Sequence, residues 1–192
     1  MNYEYKTKPY EHQVKTLEQS CDKPAHALFL EMGLGKSKIL IDNIGILFLD
    51  KKITGAVVVA PKGVLDNWSI NEIDRHLPDT IERNVLVWQS NHTQQWTKDF
   101  KSMVEEDSTG KLNFLLINVE ALATDKGAKH LQEFLEKFTS ANKAGTRQGN
   151  AVSNAKIYIE KDGRLHEIKR IEVQDQGIIG QPSIRVVIKT QE

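Results

Sequence analysis

A lysine and a serine close the segment Glu31-Met32-Gly33-Leu34-Gly35-Lys36-Ser37, and this arrangement is typical of a loop that binds phosphate. Glycines let the backbone turn its N–H groups onto phosphate oxygens, and the N-terminus of the following helix adds about half a positive charge. Lys36, which we expect to be exposed, would neutralise the β- and γ-phosphates, and the Ser37 hydroxyl would coordinate Mg2+. The strict pattern has a glycine where this chain has Leu30. The alternative is a glycine-rich turn with an incidental lysine.

A glutamine stands upstream of this loop, in the segment Pro9-Tyr10-Glu11-His12-Gln13. Its side chain carries one acceptor and one donor group, which match the N6 and N7 pair of adenine. The ordinary alternative is a polar residue on the exposed face of a helix. The position of Gln13 ahead of the phosphate loop is what favours a role in nucleotide binding.

The elements that would position these residues alternate between strands and helices up to Phe138. Short apolar runs predict strands at 25–30, 56–60, 84–88 and 114–117. Helical spacing of apolar residues predicts helices at 14–21, 36–49, 64–77, 96–104 and 131–138. Strands and helices that alternate with short connections indicate an α/β fold with a parallel sheet.

The chain resembles the superfamily 2 helicase-like ATPases, most closely their Swi/Snf-type branch with its compact phage and bacterial relatives. The resemblance rests on Tyr-x-x-Gln, on EMGLGKS, on APKGVLDNW at 60–68 and on INVEAL at 117–122, in that order. It covers about residues 8–138. It implies a RecA-like first lobe, a parallel sheet flanked by helices, that binds ATP and Mg2+ and contacts DNA weakly by itself.

The resemblance also implies roles for single residues. Gln13 would read adenine, Lys36 and Ser37 would take part in catalysis, and the phosphates would be held by Gly33, Leu34, Gly35, Lys36 and Ser37. The nucleic-acid track would be lined by Pro61, Lys62, Asn67 and Trp68 in one motif and by Asn118 and Glu120 in another. Two alternatives remain: Trp68 as a core anchor, which we favour over base stacking, and Glu120 as an acid stabilised by a helix N-terminus.

The chain departs from the family after Phe138. The family's hydrolytic acids form an Asp-Glu pair on the next strand, and no Asp-Glu pair occurs in residues 139–192. The nearest substitute is Glu160, in the run Ile157-Tyr158-Ile159-Glu160-Lys161-Asp162, which we interpret as part of a hairpin. A second lobe with its arginine finger is not expected in this length either, so activity would need a second lobe or another protein in trans.

We therefore predict three segments: a partial RecA-like nucleotide-binding lobe at 1–138, a polar linker at 139–154 and a small β unit at 155–192. Asp162-Gly163 predicts a tight hairpin turn, and 165–173 and 183–189 predict two further strands. Three short strands bury too little to be stable alone, so we expect the β unit to dock on the same chain.

Composition excludes several classes of protein. Lys and Arg total 26 and so do Asp and Glu, whereas dedicated nucleic-acid-binding modules are more basic. The single cysteine, Cys21, excludes an internal disulfide framework and a thiolate zinc site. The sequence shows neither a signal peptide nor a membrane-spanning run, so we expect a cytoplasmic protein without a membrane partner. The six histidines show no metal-ligand spacing, so Mg2+ is the one metal expected.

Three functional hypotheses follow, the plainest of which is a truncated relic with no selected function. The chain is the ATP-binding N-terminal lobe of a helicase-like, DNA-dependent ATPase, incomplete for hydrolysis by itself. Alternatively, it is a non-catalytic nucleotide-binding or protein-interaction module that derives from such a lobe.

Overall fold

The computed structural model describes residues 3–21, 23, 26–105 and 110–140, together with four strands further along the chain. The helices are α1 (Glu11–Ser20), α2 (Lys36–Leu49), α3 (Lys62–Asn67), α4 (Ile73–His76), α5 (Gln94–Glu105), α6 (Val119–Leu122) and α7 (Asp125–Ser140). A π-helical turn, Trp68–Glu72, joins α3 to α4. The strands are β1 (Ala27–Leu28), β2 (Gly55–Val59), β3 (Arg83–Val87), β4 (Leu112–Ile117), β5 (Ala155–Lys161), β6 (Arg164–Ile168), β7 (Ile171–Asp175) and β8 (Ile184–Ile188).

Six strands form one sheet in the order β1-β6-β5-β2-β4-β3. Strands β5, β2, β4 and β3 run parallel to one another, while β6 runs antiparallel to both of its neighbours. Strands β2 and β4 are buried at every residue, as their unbroken apolar runs require. The prediction of an α/β fold with a parallel sheet flanked by helices is confirmed.

Helices cover both faces of the sheet, and each face has its own apolar core. Along β2 the residues alternate between the two: Val58 packs in the cluster that includes α2, and Val57 and Val59 pack in the cluster that includes α5 and α7. Trp68 belongs to the first cluster and is 1% exposed. The core-anchor interpretation of Trp68 is therefore confirmed, because a side chain this deeply buried has no face free for a base.

Two sequence predictions differ from the structure in detail. The helix expected at 64–77 begins at Lys62 and is interrupted by the π-helical turn. The single strand expected at 165–173 is wrong, because its first half pairs with β5 as β6 and its second half pairs with β8 as β7.

The C-terminal hairpin docks on the same chain, as expected. Strand β5 lies beside β2, with Ile159 opposite Val59, and β6 folds back along β5 with Arg164 opposite Lys161. The turn residues Asp162 and Gly163 lie outside the described residues, as do residues 141–154 of the predicted linker. The division into segments at 138 and 155 stays a prediction.

Candidate functional site

The loop between β1 and α2 has the backbone that phosphate binding needs. Gly33 and Gly35 both have positive φ, at 82° and 78°, a region that glycine enters without the strain a side chain would cause. Gly35 is the residue immediately before α2, so the loop lies at the N-terminus of this helix, which is 14 residues long. The N–H groups and the helix dipole at this point favour an anion.

Lys36 folds back onto its own loop. Its ammonium donates to the carbonyl oxygens of Leu30, at 3.1 Å, and of Glu31, at 3.2 Å. The side chain is half-buried, so the expectation that it is exposed is wrong, because the carbonyls at the end of β1 offer it acceptors. A positive charge is thus held inside the turn that the two glycines form.

Gln13 joins α1 to the loop. Its Nε2 donates to the Leu34 carbonyl at 3.1 Å, and its Oε1 accepts the Tyr10 N–H at 3.0 Å. His12 Nε2 lies 3.2 Å from the same Leu34 oxygen. Gln13 is only 5% exposed, because its amide lies against Gly35. Its two hydrogen bonds leave one N–H and one oxygen lone pair of the amide for a ligand.

The candidate nucleic-acid residues lie where β2 and β4 end. These strands are neighbours, and the Ala60 N–H donates to the Ile117 carbonyl at 3.2 Å, so the segments after Ala60 and after Ile117 leave the sheet side by side. Pro61 and Lys62 follow the first strand and are exposed. The carboxyl edge of a parallel sheet is where ligands bind in such folds.

At the second strand end, Asn118 precedes α6 and donates through Nδ2 to the Glu120 carboxylate at 2.7 Å. This hydrogen bond, together with one from the Glu120 backbone, holds the pKa of that exposed carboxyl below its usual value. Asn67 lies at the end of α3 and is also exposed. The roles proposed for these residues stay predictions.

A buried ion pair on α2 was missed by the sequence analysis. Lys38 Nζ lies 2.8 Å from Asp42 Oδ2, with both side chains almost fully buried, and the Tyr3 hydroxyl donates to Asp42 Oδ1 at 2.9 Å. Burial raises the pKa of Asp42, against the opposing effect of Lys38, and burial also raises the pKa of the Tyr3 phenol. The sequence signal was a lysine and an aspartate four residues apart on a helix that is otherwise mostly apolar.

A second cluster that sequence spacing did not predict joins His92 and His130 to three aromatic side chains. His92 stacks on Trp96 with ring centroids 3.9 Å apart, and His130 lies against Trp96 and Phe100. The Trp88 indole donates to His130 Nδ1 at 3.3 Å. Burial lowers the pKa of both imidazoles, so the cluster favours neutral histidines. His92 lies just before α5 and His130 lies on α7, so the two are far apart in sequence and no local pattern joins them.

In the described part of the chain, no group of three or more histidine, cysteine or acidic side chains is arranged to hold a metal ion. The same residues include no helix that is long and apolar enough to cross a membrane.

The SNF2-related domain family matches residues 12–149, a range that contains the phosphate loop and both strand-end segments. The chain belongs to the SNF2-related domain family. This part of the chain therefore forms the N-terminal lobe of a Swi/Snf-type, helicase-like ATPase, as the sequence motifs indicated. Use of nucleotide and Mg2+ is general in this family.

A comparison with solved structures finds the Sulfolobus solfataricus SWI2/SNF2 ATPase core in complex with dsDNA, at 19% identity and a TM-score of 0.49. The match covers 66% of this SNF2-related chain and 24% of that chain, so it extends over about a quarter of the archaeal protein. A sequence comparison with curated proteins gives no match.

Proposed function

We propose that the chain is a nucleotide-binding lobe that holds Mg2+-ATP in the loop 31–37 and contacts DNA along the neighbouring strand ends. The observation that carries the proposal is the loop itself: two glycines at positive φ before α2, with the Lys36 ammonium held inside the turn. A phosphate would replace the Leu30 and Glu31 carbonyls as the partner of that ammonium, because a charge-assisted bond to phosphate is stronger than one to a neutral carbonyl.

The residues present fit a magnesium nucleotide. The loop N–H groups and the α2 N-terminus would hold the phosphates, and Ser37, in the first turn of α2, would supply a hydroxyl to Mg2+. Gln13 would contact adenine with the N–H and the lone pair that its bonds to Leu34 and Tyr10 leave free. Magnesium, when bound, neutralises phosphate charge.

DNA would lie across the ends of β2 and β4. Lys62 and the backbone N–H groups near Pro61 would contact phosphates, and Asn67, Asn118 and Glu120 would contribute polar groups beside them. Such contacts position a nucleic acid without reading its sequence. The balanced net charge of the whole chain implies weak, salt-dependent binding.

A non-hydrolysing role is the second candidate, and the sheet order favours it. Strand β6 lies between β1, which leads into the phosphate loop, and β5, which carries Glu160. Neighbouring strands are about 4.8 Å apart, so the backbone of Glu160 is roughly 10 Å from that of β1. This separation, and the absence of an Asp-Glu pair from the sequence 139–192, support a lobe that binds nucleotide without hydrolysing it by itself.

The test of nucleotide binding is a titration of the full chain with a fluorescent ATP analogue, with and without Mg2+. We expect Lys36→Ala to weaken binding at least about tenfold, the minimum for losing a charged hydrogen bond to phosphate. Lys15→Ala removes the same charge from an exposed site on α1 and serves as the control. Equal affinities of the two variants for the ATP analogue would show that Lys36 does not contact the nucleotide.

Hydrolysis is measured on the same preparation with and without duplex DNA. We expect turnover far below that of a helicase, since an arginine finger alone is worth about 10³ or more in rate. Rapid DNA-stimulated turnover that Lys36→Ala abolishes would establish autonomous catalysis and reject the non-hydrolysing role.

A further inference from the structure

Asn67 is the point at which the helix after β2 changes its winding. Helix α3 ends at Asn67, the π-helical turn covers Trp68–Glu72, and α4 continues from Ile73. One-turn π-helical segments inside helices are uncommon and occur frequently at functional sites. The polar side chains on the exposed side of the π-helical turn provide local contacts that stabilise it.

A continuous series of polar contacts runs along this turn. Asn67 Nδ2 donates to Glu72 Oε1 at 3.2 Å, and the other oxygen of Glu72 lies 3.7 Å from His76 Nε2. His76 Nδ1 in turn shares a hydrogen bond of 2.7 Å with the Thr7 hydroxyl. Asn71 Nδ2 donates to Asn67 Oδ1 at 2.9 Å and fixes the other end of the same carboxamide.

The π-helical turn is what permits the first of these contacts. In an α-helix of 3.6 residues per turn, side chains five positions apart point about 140° away from each other. In a π-helical turn the backbone bonds join residues five apart, so Asn67 and Glu72 lie one above the other. An α-helical path would separate the Glu72 carboxylate from Asn67.

We propose that Glu72 and His76 are positioning residues that hold the Asn67 carboxamide in place for a nucleic-acid backbone. We call the series Thr7, His76, Glu72 and Asn67 the polar relay. The inference rests on the proposed function, because it takes Asn67 as a contact to DNA. The relay leaves Asn67 with one N–H and one lone pair in fixed directions.

The surroundings of His76 make the relay sensitive to pH. Burial lowers the pKa of His76, Lys38 on α2 and Arg75 lower it further, and Glu72 and Asp42 raise it. A neutral ring with its proton on Nε2 would face Glu72 with an N–H, 3.7 Å from the carboxylate, and would accept the Thr7 O–H through Nδ1. Protonation would make His76 a cationic partner for Glu72 and draw the carboxylate from Asn67.

The first experiment measures the affinity of the full chain for a labelled DNA duplex by fluorescence anisotropy at low salt. Glu72→Ala should weaken binding about 3- to 10-fold, as expected for loss of one hydrogen bond, and Glu72→Gln, which keeps an acceptor oxygen for Asn67, should restore most of it. Asp66→Ala removes the same charge next to Asn67 but outside the relay. Because loss of an acid favours DNA binding electrostatically, that control should bind equally well or better.

Asn67→Ala separates failure of the relay from failure of the interface. If Asn67→Ala weakens binding and Glu72→Ala behaves like Asp66→Ala, the interface stands and the relay is overturned. If Asn67→Ala binds DNA like the wild type, Asn67 is not part of the DNA interface, and the polar relay then has no role in DNA binding. Nucleotide binding by the Lys36 loop is judged separately in either case.

The second experiment follows the Asn67 side-chain amide signals by NMR between pH 5 and 8. The relay predicts that these signals titrate together with the His76 ring in the wild type, and that they no longer do so in Glu72→Ala. A purely structural ion pair would leave the Asn67 signals unmoved, and that result would overturn the proposal.

Discussion

Replacing each of the two loop glycines with alanine gives a matched measurement of the contact between Gln13 and the phosphate loop. Gly33 and Gly35 have nearly the same positive φ, so an added methyl group causes similar backbone strain at either position, about 1–2 kcal/mol. The two sites differ in their surroundings. A Cβ at Gly33 meets no atom within 4 Å, whereas a Cβ at Gly35 lies 2.3 Å from Gln13 Nε2.

The Gln13 amide must therefore move in Gly35→Ala. Moving it breaks the bond from Nε2 to the Leu34 carbonyl in a nearly buried site, which costs a further 1–3 kcal/mol or so. We expect Gly33→Ala to lose about 1–2 kcal/mol and Gly35→Ala about 2–5 kcal/mol of unfolding free energy. For a chain of this size each kcal/mol lowers Tm by about 2–4 °C.

The assay is urea and thermal unfolding of the full chain and its variants, followed by circular dichroism. In the background of Gln13→Ala the methyl group meets no amide, so the cost of Gly35→Ala should fall to that of Gly33→Ala. Equal losses for the two glycine variants in the wild-type background would refute the reasoning, because the contact with Gln13 would then carry no energy.

Two further predictions concern stability. Burial lowers the pKa of four histidines (His26, His76, His92 and His130), so below pH 6.5 these groups bind more protons in the unfolded chain than in the folded chain, while the raised pKa of the single carboxyl Asp42 acts in the opposite direction. With four groups against one we expect a lower urea midpoint at pH 5.5 than at pH 7.5, and a flat profile would contradict this. Deleting 155–192 uncovers the edge of β2 that pairs with β5, so Tm should drop and the fragment 1–154 should aggregate, because an unpaired strand edge promotes association. If scanning calorimetry and light scattering show that 1–154 is equally stable and monomeric, the hairpin does not stabilise the fold.

The sequence predicted the elements whose local pattern is strong. Helix α2 has the bounds 36–49 that apolar spacing predicted, and β2 and β4 were visible as unbroken apolar runs, because burial on both faces removes the need for polar residues. The phosphate loop was visible for a similar reason, since its glycines and lysine are contiguous.

Features that depend on pairing between distant residues could not be predicted. Strand β1 is only two residues long, and its neighbour β6 is set by the pairing of Ala27 with His166. The π-helical turn has no spacing of its own, because Asn67 and Glu72 are brought together only once the turn is present. The amide of Gln13 was expected near a nucleotide, and its bond to Leu34 depends on how α1 packs against the loop.

The pairing of β1 with β6 also bears on how the chain reaches its fold during synthesis. In the part of the chain that the structure describes, the strand leading into the phosphate loop gains its sheet partner only from Leu165 and His166. That partner is roughly 140 residues later, and at about 5–20 residues per second the ribosome needs about 7–28 s to deliver it. Contacts this distant in sequence slow folding, because a large loop must close before they form. The segments that form β2, β3 and β4 are thus synthesised well before the partner of β1, so the strand that leads into the phosphate loop pairs later than the centre of the sheet.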